Sequence, residues 1–162
     1  MRERCETTKI DSARDAVAYL EDQCWHDSIL HEVVLVRTKS LDQVVLKLDL
    51  LQNVENQLSQ SVEVAFCDCL DVRIHMNWGV QCLSGGEMIY SAECLDSDGR
   101  IDRVRAKWGR VIEDLGNLGA FRLNLASTGS TIEVVFGCII IKHSGEIRPH
   151  DAPPPRRPSG GG

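Results

Sequence analysis

Residues 61–79 read SVEVAFCDCLDVRIHMNWG, and the alternation of apolar and polar side chains along them decides the fold. In the second half Val72, Ile74, Met76 and Trp78 alternate with Asp71, Arg73, His75 and Asn77, the period-2 pattern of a strand with one face on a core and the other polar. In the first half Val62, Val64 and Phe66 alternate with Glu63, Ala65 and Cys67, but carrying that phase forward puts the Asp68 carboxylate on the buried face, between Phe66 and Leu70. A bulge or turn over residues 67–70 would take Asp68 off that face, since a local irregularity in a strand re-aims the side chains it carries. That kink is the first place to look for a site.

Upstream, residues 29–37 (ILHEVVLVR) and 44–51, where Leu46, Leu48 and Leu50 alternate with Lys47 and Asp49, read as two strands of a hairpin about a polar turn at 39–43. Residues 52–60 read as a long, mobile polar connection. Residues 11–22 read as a short helix capped by Asp11 or Ser12, with Ala13, Ala16, Val17 and Leu20 along one side. Downstream, residues 88–94 form a short strand after the Ser84-Gly85-Gly86 turn. Residues 101–115 carry Ile101, Val104, Trp108, Val111, Ile112 and Leu115 on one helical stripe, with Asp98 as cap and Gly116 and Gly119 as the stop. A closing hairpin joins AFRLNLA (120–126) to TIEVVFGCIIIK (131–142) through Ser127-Thr128-Gly129-Ser130.

The fold expected is α+β, mainly β: an antiparallel sheet of about seven strands, as a sandwich or a partly closed barrel, with a short N-terminal helix and one amphipathic helix before the last hairpin. Residues 1–144 are expected to be a single domain. Residues 145–162, rich in Pro, Gly and Arg with almost nothing to bury, are expected to be a disordered tail; the P-x-x-P match at Pro155-Arg156-Arg157-Pro158 is read as part of that solvated tail.

The formal net charge of −6 repels phosphate backbones and attracts basic protein partners, so nucleic acid is not expected as a partner. No apolar run approaches a bilayer span, and the opening MRERCETTKIDSARD has no signal-like apolar core, so membrane association is not expected and the location is read as cytoplasmic. Seven cysteines at irregular spacings suit a reducing compartment.

Among residues able to do chemistry, His26-Asp27 pairs an imidazole with a carboxylate that could orient it. No nucleophile motif accompanies it. There is no G-x-S-x-G elbow, P-loop or HExxH pair, so no catalytic residue and no cofactor is assigned. The plainer account has Trp25 packing under the sheet while Asp27 and Ser28 tie down backbone amides at a strand entrance. Cys67 and Cys69 fall on one side of an extended chain but in no recognised zinc spacing, and read as packing rather than metal ligands. Asp96-Ser97-Asp98-Gly99 fails the register of a calcium loop at both ends and reads as a turn and helix cap. Trp78, at a strand end before Gly79, reads as core unless the strand twists there, in which case it becomes a binding aromatic. The candidate binding residues are therefore Trp25, His26, Asp27, Asp68, His75, Asn77 and Trp78, the polar ones gathered at strand ends as a structural lock or a binding edge.

The segments Trp25-His26-Asp27-Ser28, Phe66-Cys67-Asp68-Cys69, Met76-Asn77-Trp78-Gly79 and residues 127–132 together resemble a group of small bacterial proteins that includes immunity proteins of polymorphic toxin systems, the Imm50-like type among them. The resemblance spans residues 25–142 and implies a small β-rich cytoplasmic domain. The function expected is a noncatalytic protein-binding domain, an immunity protein neutralising a basic toxin partner. Two other readings stand beside it. One is a small enzyme or ligand-binding domain using His26, Asp27, Asp68, His75 and Asn77 around a pocket. The other is a subunit of a homo-oligomer, such as a homodimer, paired through an uncovered edge at residues 132–142.

Overall fold

The computed structural model describes residues 5–37, 42–77, 86–95, 99–113 and 115–150. In chain order the elements are β1 (Glu6–Ile10), α1 (Ala13–Glu21), β2 (Cys24–Arg37), β3 (Asp42–Asn53), β4 (Leu58–Cys67), β5 (Asp71–His75), β6 (Glu87–Cys94), α2 (Arg100–Trp108), β7 (Gly119–Leu125), β8 (Thr131–Phe136) and β9 (Cys138–Pro149). The nine strands form one antiparallel sheet in the order β1-β9-β4-β3-β2-β6-β7-β8-β5.

This sheet is bent back on itself. Adjacent strands stand about 4.8 Å apart, so β4 and β8, five places apart in the order, would be roughly 24 Å apart in a flat sheet. The rings of Phe66 on β4 and Phe136 on β8 instead meet edge to face at 5.1 Å, and Phe66 stacks on Phe121 of β7 at 5.3 Å. Two devices make the bend. At one side β2 and β6 share only two pairs, Ile29↔Met88 and Leu30↔Glu87, which leaves a narrow hinge. At the other, β4 runs into β5 and β8 runs into β9 side by side, so that Cys67 pairs with Cys138 before the corner and Asp71 pairs with Val135 after it. Strands that pass from one layer to another turn at bends or bulges of this kind.

The sequence supplies the corner. Asp68 has φ 53, a left-handed conformation that Asp tolerates better than most residues, and Gly137 lies beside it. The Gly137 N–H donates to the Cys67 carbonyl at 3.0 Å, and the Leu70 N–H donates to the Val135 carbonyl at 2.9 Å, so the ladder continues through the turn. The charged Asp68 that interrupts the apolar phase of residues 61–79 thus marks a strand corner.

Inside the fold, Leu46, Leu48 and Leu50 of β3 and Val62, Val64 and Phe66 of β4 face Phe121, Leu123, Ile132, Val134 and Phe136. Helix α1 is capped by Ser12, whose Oγ accepts from the Asp15 N–H, and it buries Ala16 and Leu20 against the core. Helix α2 packs on the outer face of the second layer, with Val104 on Ala120 and Val135. Its buried Arg100 pairs with Glu133, which also accepts from Arg122 Nε at 2.6 Å.

The mainly β, antiparallel fold with two helices is the one expected, and its nine strands are the seven or so counted with two more: β1, too short and polar to stand out, and β9, which Gly137 separates from β8. Other expectations are corrected. Residues 52–60 are a tight hairpin instead of a long connection, because β3 continues to Asn53, β4 starts at Leu58, and the two pair directly. There Asn53 Oδ1 accepts from the Asn56 N–H at 2.9 Å, holding the turn. The second helix ends at Gly109 rather than Gly116, and Val111, expected on its buried stripe, is exposed. Gly99, with φ 70, occupies the N-cap, while Asp98 lies outside the described residues, as does most of the Ser84-Gly85-Gly86 turn. The tail boundary expected at 145 also moves, since β9 runs to Pro149; residues 151–162 lie outside the described residues. The edge expected at 132–142 is not an edge: β8 is flanked by β7 and β5, and β9 by β4 and β1. No helix among the described residues is long and apolar enough to cross a membrane.

Candidate functional site

The segment Trp25-His26-Asp27-Ser28 is a wide bulge in β2. Cys24 pairs with Leu51 and Ile29 with Asp49, so β2 takes five residue steps where β3 takes two. Extra residues in one strand leave backbone groups unpaired and re-aim side chains. Here the Ser28 hydroxyl, fully buried, takes over the ladder: it donates to the Cys24 carbonyl at 2.8 Å and accepts from the Leu51 N–H at 2.9 Å. Asp27 absorbs the bend with φ 67.

The bulge turns Trp25 inward and His26 outward. Trp25 is buried, its Nε1 donates to the Leu20 carbonyl at 2.6 Å, and its ring lies 5.2 Å from that of Phe121. His26 is exposed, its Nδ1 stands 3.0 Å from Asp27 Oδ1, and its ring centre is 6.1 Å from that of Tyr90 on β6. Between them opens a cleft of about 570 Å³ beside the end of α1, with Leu20, Trp25 and Phe121 at its floor, Val54 and Tyr90 on its walls, and Glu21, Asp27 and Glu93 as its acidic groups. Tyr90 is 63% exposed and Val54 56%, so both present apolar surface to solvent. Among the described residues the polar partner of His26 is Asp27; no hydroxyl or thiol is hydrogen-bonded to its ring.

The other expected site residues lie elsewhere. Asp68 sits at the corner, exposed, accepting from Cys138 Sγ at 3.8 Å. His75 closes β5 opposite Thr131, and just beyond it Asn77 is tied to the β7–β8 turn: its N–H donates to Ser130 Oγ at 3.0 Å and its Nδ2 to the Thr128 carbonyl at 2.8 Å. The whole five-residue length of β5, about 17 Å, separates Asp68 from Asn77, and neither they nor His75 line the cleft. The polar cluster expected as one unit is therefore three places: a cleft rim, a strand corner and a turn lock. Trp78 lies outside the described residues.

Cys67 and Cys69 do not act as a pair. Cys67 lies opposite Cys138 in the β4–β9 ladder and its Sγ donates to the Ala65 carbonyl at 3.7 Å, while Cys69 packs against the main core. Burial, with the Cys138 thiol and the Asp68 carboxylate beside it, pushes Cys67 up to about 11, and burial pushes Cys69 up to about 12. Burial and the Asp68 carboxylate raise Cys138 as well. None of the three is poised as a thiolate nucleophile at neutral pH.

Three features escaped the sequence reading. Tyr90, Glu21 and Glu93 reach the cleft only through the β2–β6 pairing and the docking of α1. Glu87, buried, accepts from the Thr128 N–H at 2.8 Å and braces the β7–β8 turn. Asp49, also buried on the outer face, gathers Ser61 Oγ at 2.7 Å, Arg148 Nη2 at 2.8 Å and His31 Nε2 at 3.0 Å, tying together four strands. The period-2 pattern marked Asp49 as an outward residue but gave no sign of these partners.

Compared with protein-family models, with curated proteins and with solved structures, the chain gives no match.

Proposed function

We propose that the protein is a noncatalytic binding domain that holds a basic protein partner against the cleft beside His26, and that this partner is a toxin it neutralises, as the resemblance to immunity proteins implies. The observation that carries the reading is the exposure of Tyr90 and Val54 at the mouth of an aromatic-floored cleft. Large aromatics cluster at the buried centres of protein interfaces, and apolar groups left in solvent around a recess mark contact surfaces. Among the described residues no hydroxyl or thiol is hydrogen-bonded to the His26 ring, which supports a role in contact over one in nucleophilic catalysis. The net charge of −6 favours a basic partner and speeds its encounter.

The test is site-specific photo-crosslinking in the native host, with a benzophenone side chain at position 90 and, as control, at Lys142, which is exposed on β9 and does not line the cleft. One protein cross-linked from position 90 and not from 142 is the result expected. Expressed alone, that protein should arrest growth, and co-expression with this chain should restore it. Equal labelling from both positions, or a partner harmless alone, argues against the reading.

The cleft volume favours a second reading, a small-molecule site, because ligand pockets run from about 300 to 1,000 Å³. It predicts a small ligand carried through gentle purification, seen by native mass spectrometry, and no cross-linked protein.

A further inference from the structure

Resting on the binding-domain reading above, we infer that the cleft is a receptor for an arginine side chain of the partner. Among the described residues the acidic groups that line it are Glu21, Asp27 and Glu93, no Lys or Arg lines it, and the one basic side chain there is His26, 3.0 Å from Asp27. Arg122 approaches Glu93 only to 3.9 Å, and its Nε is already engaged by Glu133 at 2.6 Å. Negative charge at the rim is thus only partly compensated from within the chain. Four rings also face it: Tyr90 and His26 stand side by side at the mouth, with Trp25 and Phe121 beneath.

These two properties select the guest together. An apolar floor alone would admit leucine or phenylalanine, but closing a neutral side chain over three carboxylates strips their water and returns nothing. A cation satisfies them, and the electron-rich face of an aromatic ring attracts it further. Of the two basic side chains, arginine fits better. Its guanidinium is flat and weakly hydrated, stacks on a ring face, and offers paired N–H groups to a carboxylate, whereas the lysine ammonium is a compact, strongly hydrated point charge.

The experiment titrates N-acetyl-arginine amide into the full-length, isotope-labelled protein at low salt and follows backbone amide shifts by NMR. N-acetyl-citrulline amide, which keeps the shape without the charge, and N-acetyl-lysine amide serve as comparisons. Saturable shifts at His26, Tyr90 and Glu93 are expected with the arginine probe, with about tenfold weaker binding of the citrulline probe and intermediate binding of the lysine probe. Tyr90→Leu and Glu21→Gln, both at exposed positions, should each weaken the arginine probe severalfold while leaving the thermal midpoint unchanged. Equal binding of citrulline, equal binding of lysine, absence of saturable shifts, or indifference to both substitutions overturns the assignment. A protein cross-linked from position 90 without arginine-probe binding overturns this inference and leaves the binding domain standing. Arginine-probe binding with no cross-linked protein overturns the protein source of the guest and points to a free guanidino compound.

Discussion

Asp68 and Gly137 face each other across the corner of the sheet so closely that a Cβ on Gly137 would stand 3.1 Å from the Asp68 Cβ. Here two chain segments turn from one layer into the other together. One turns by giving Asp68 a left-handed backbone, and the other by carrying no side chain. The corner joins the two halves of the core, since Phe66 lies just before it on one segment and Phe136 on the other. An exposed carboxylate that looked like a candidate for chemistry is explained by backbone geometry.

Asp68→Gly should therefore leave stability within about 0.5 kcal/mol of the parent, because glycine adopts positive φ without steric cost. Asp68→Val should lose about 2 kcal/mol, since a β-branched side chain cannot rest comfortably in that region. Urea denaturation of the two variants checks this. Equal loss from both would mean that the carboxylate itself carries the stability.

The carboxyl of Asp49 carries a pH dependence. Burial alone would raise it, but hydrogen bonds from Ser61 and His31 and the charge of Arg148 outweigh burial and hold it below its ordinary 3.8. A carboxyl that holds its proton less tightly when folded stabilises the fold above its unfolded pKa, and that contribution is lost as pH falls through the depressed folded value. Asp49→Ala should cost about 2 kcal/mol at pH 7, because Arg148 and His31 retain enough exposure to rehydrate. The gap between parent and variant should narrow steadily below pH 4. A gap that stays constant would place the effect in packing instead of charge.

How far these features could be read from sequence follows from their range. The hairpins, the first helix and the kink at 67–70 were legible because each is encoded by neighbours within a few residues. The number of strands was not, since Gly137 splits one apolar run into two strands that serve different layers. Trp25-His26-Asp27-Ser28 announced polar chemistry at a strand entrance, yet its character as a bulge depends on the register of residues 49–51 across the hairpin. Arg148 sat in what composition marked as a tail, so its bond to Asp49 was invisible. The His26, Asp68 and Asn77 grouping failed because strand ends look alike in sequence, whichever end of the sheet they occupy.

Thiol reactivity should divide along burial. Cys5 and Cys24 are exposed, whereas Cys67 and Cys138 are buried and Cys69 is held near 12 by burial. In the folded protein at pH 8, a maleimide or iodoacetamide reagent should modify Cys5 and Cys24 within minutes and spare Cys67, Cys69 and Cys138 until denaturant is added. Peptide mapping by mass spectrometry resolves the sites. Early modification of Cys67 or Cys138 would show that the corner opens without global unfolding.

The ion pair beneath α2 should be asymmetric in its response to mutation. Arg100 is buried against Glu133, and Glu133 is also held by Arg122, so one carboxylate answers two guanidinium groups. Burial works against the charged form of Glu133, but the bonds and charges of the two arginines prevail and lower its pKa. Glu133→Gln keeps the shape but removes the negative charge that faces the Arg100 guanidinium in a site that water barely reaches. Breaking one side of a buried pair in this way costs about 3 kcal/mol. Arg100→Met should cost less, because Glu133 retains Arg122 and the methionine chain can pack where the arginine stem lay. Thermal melts of the two variants at neutral pH decide it: a larger loss from Arg100→Met than from Glu133→Gln would mean that the arginine acts through packing under α2 and that its charge is incidental.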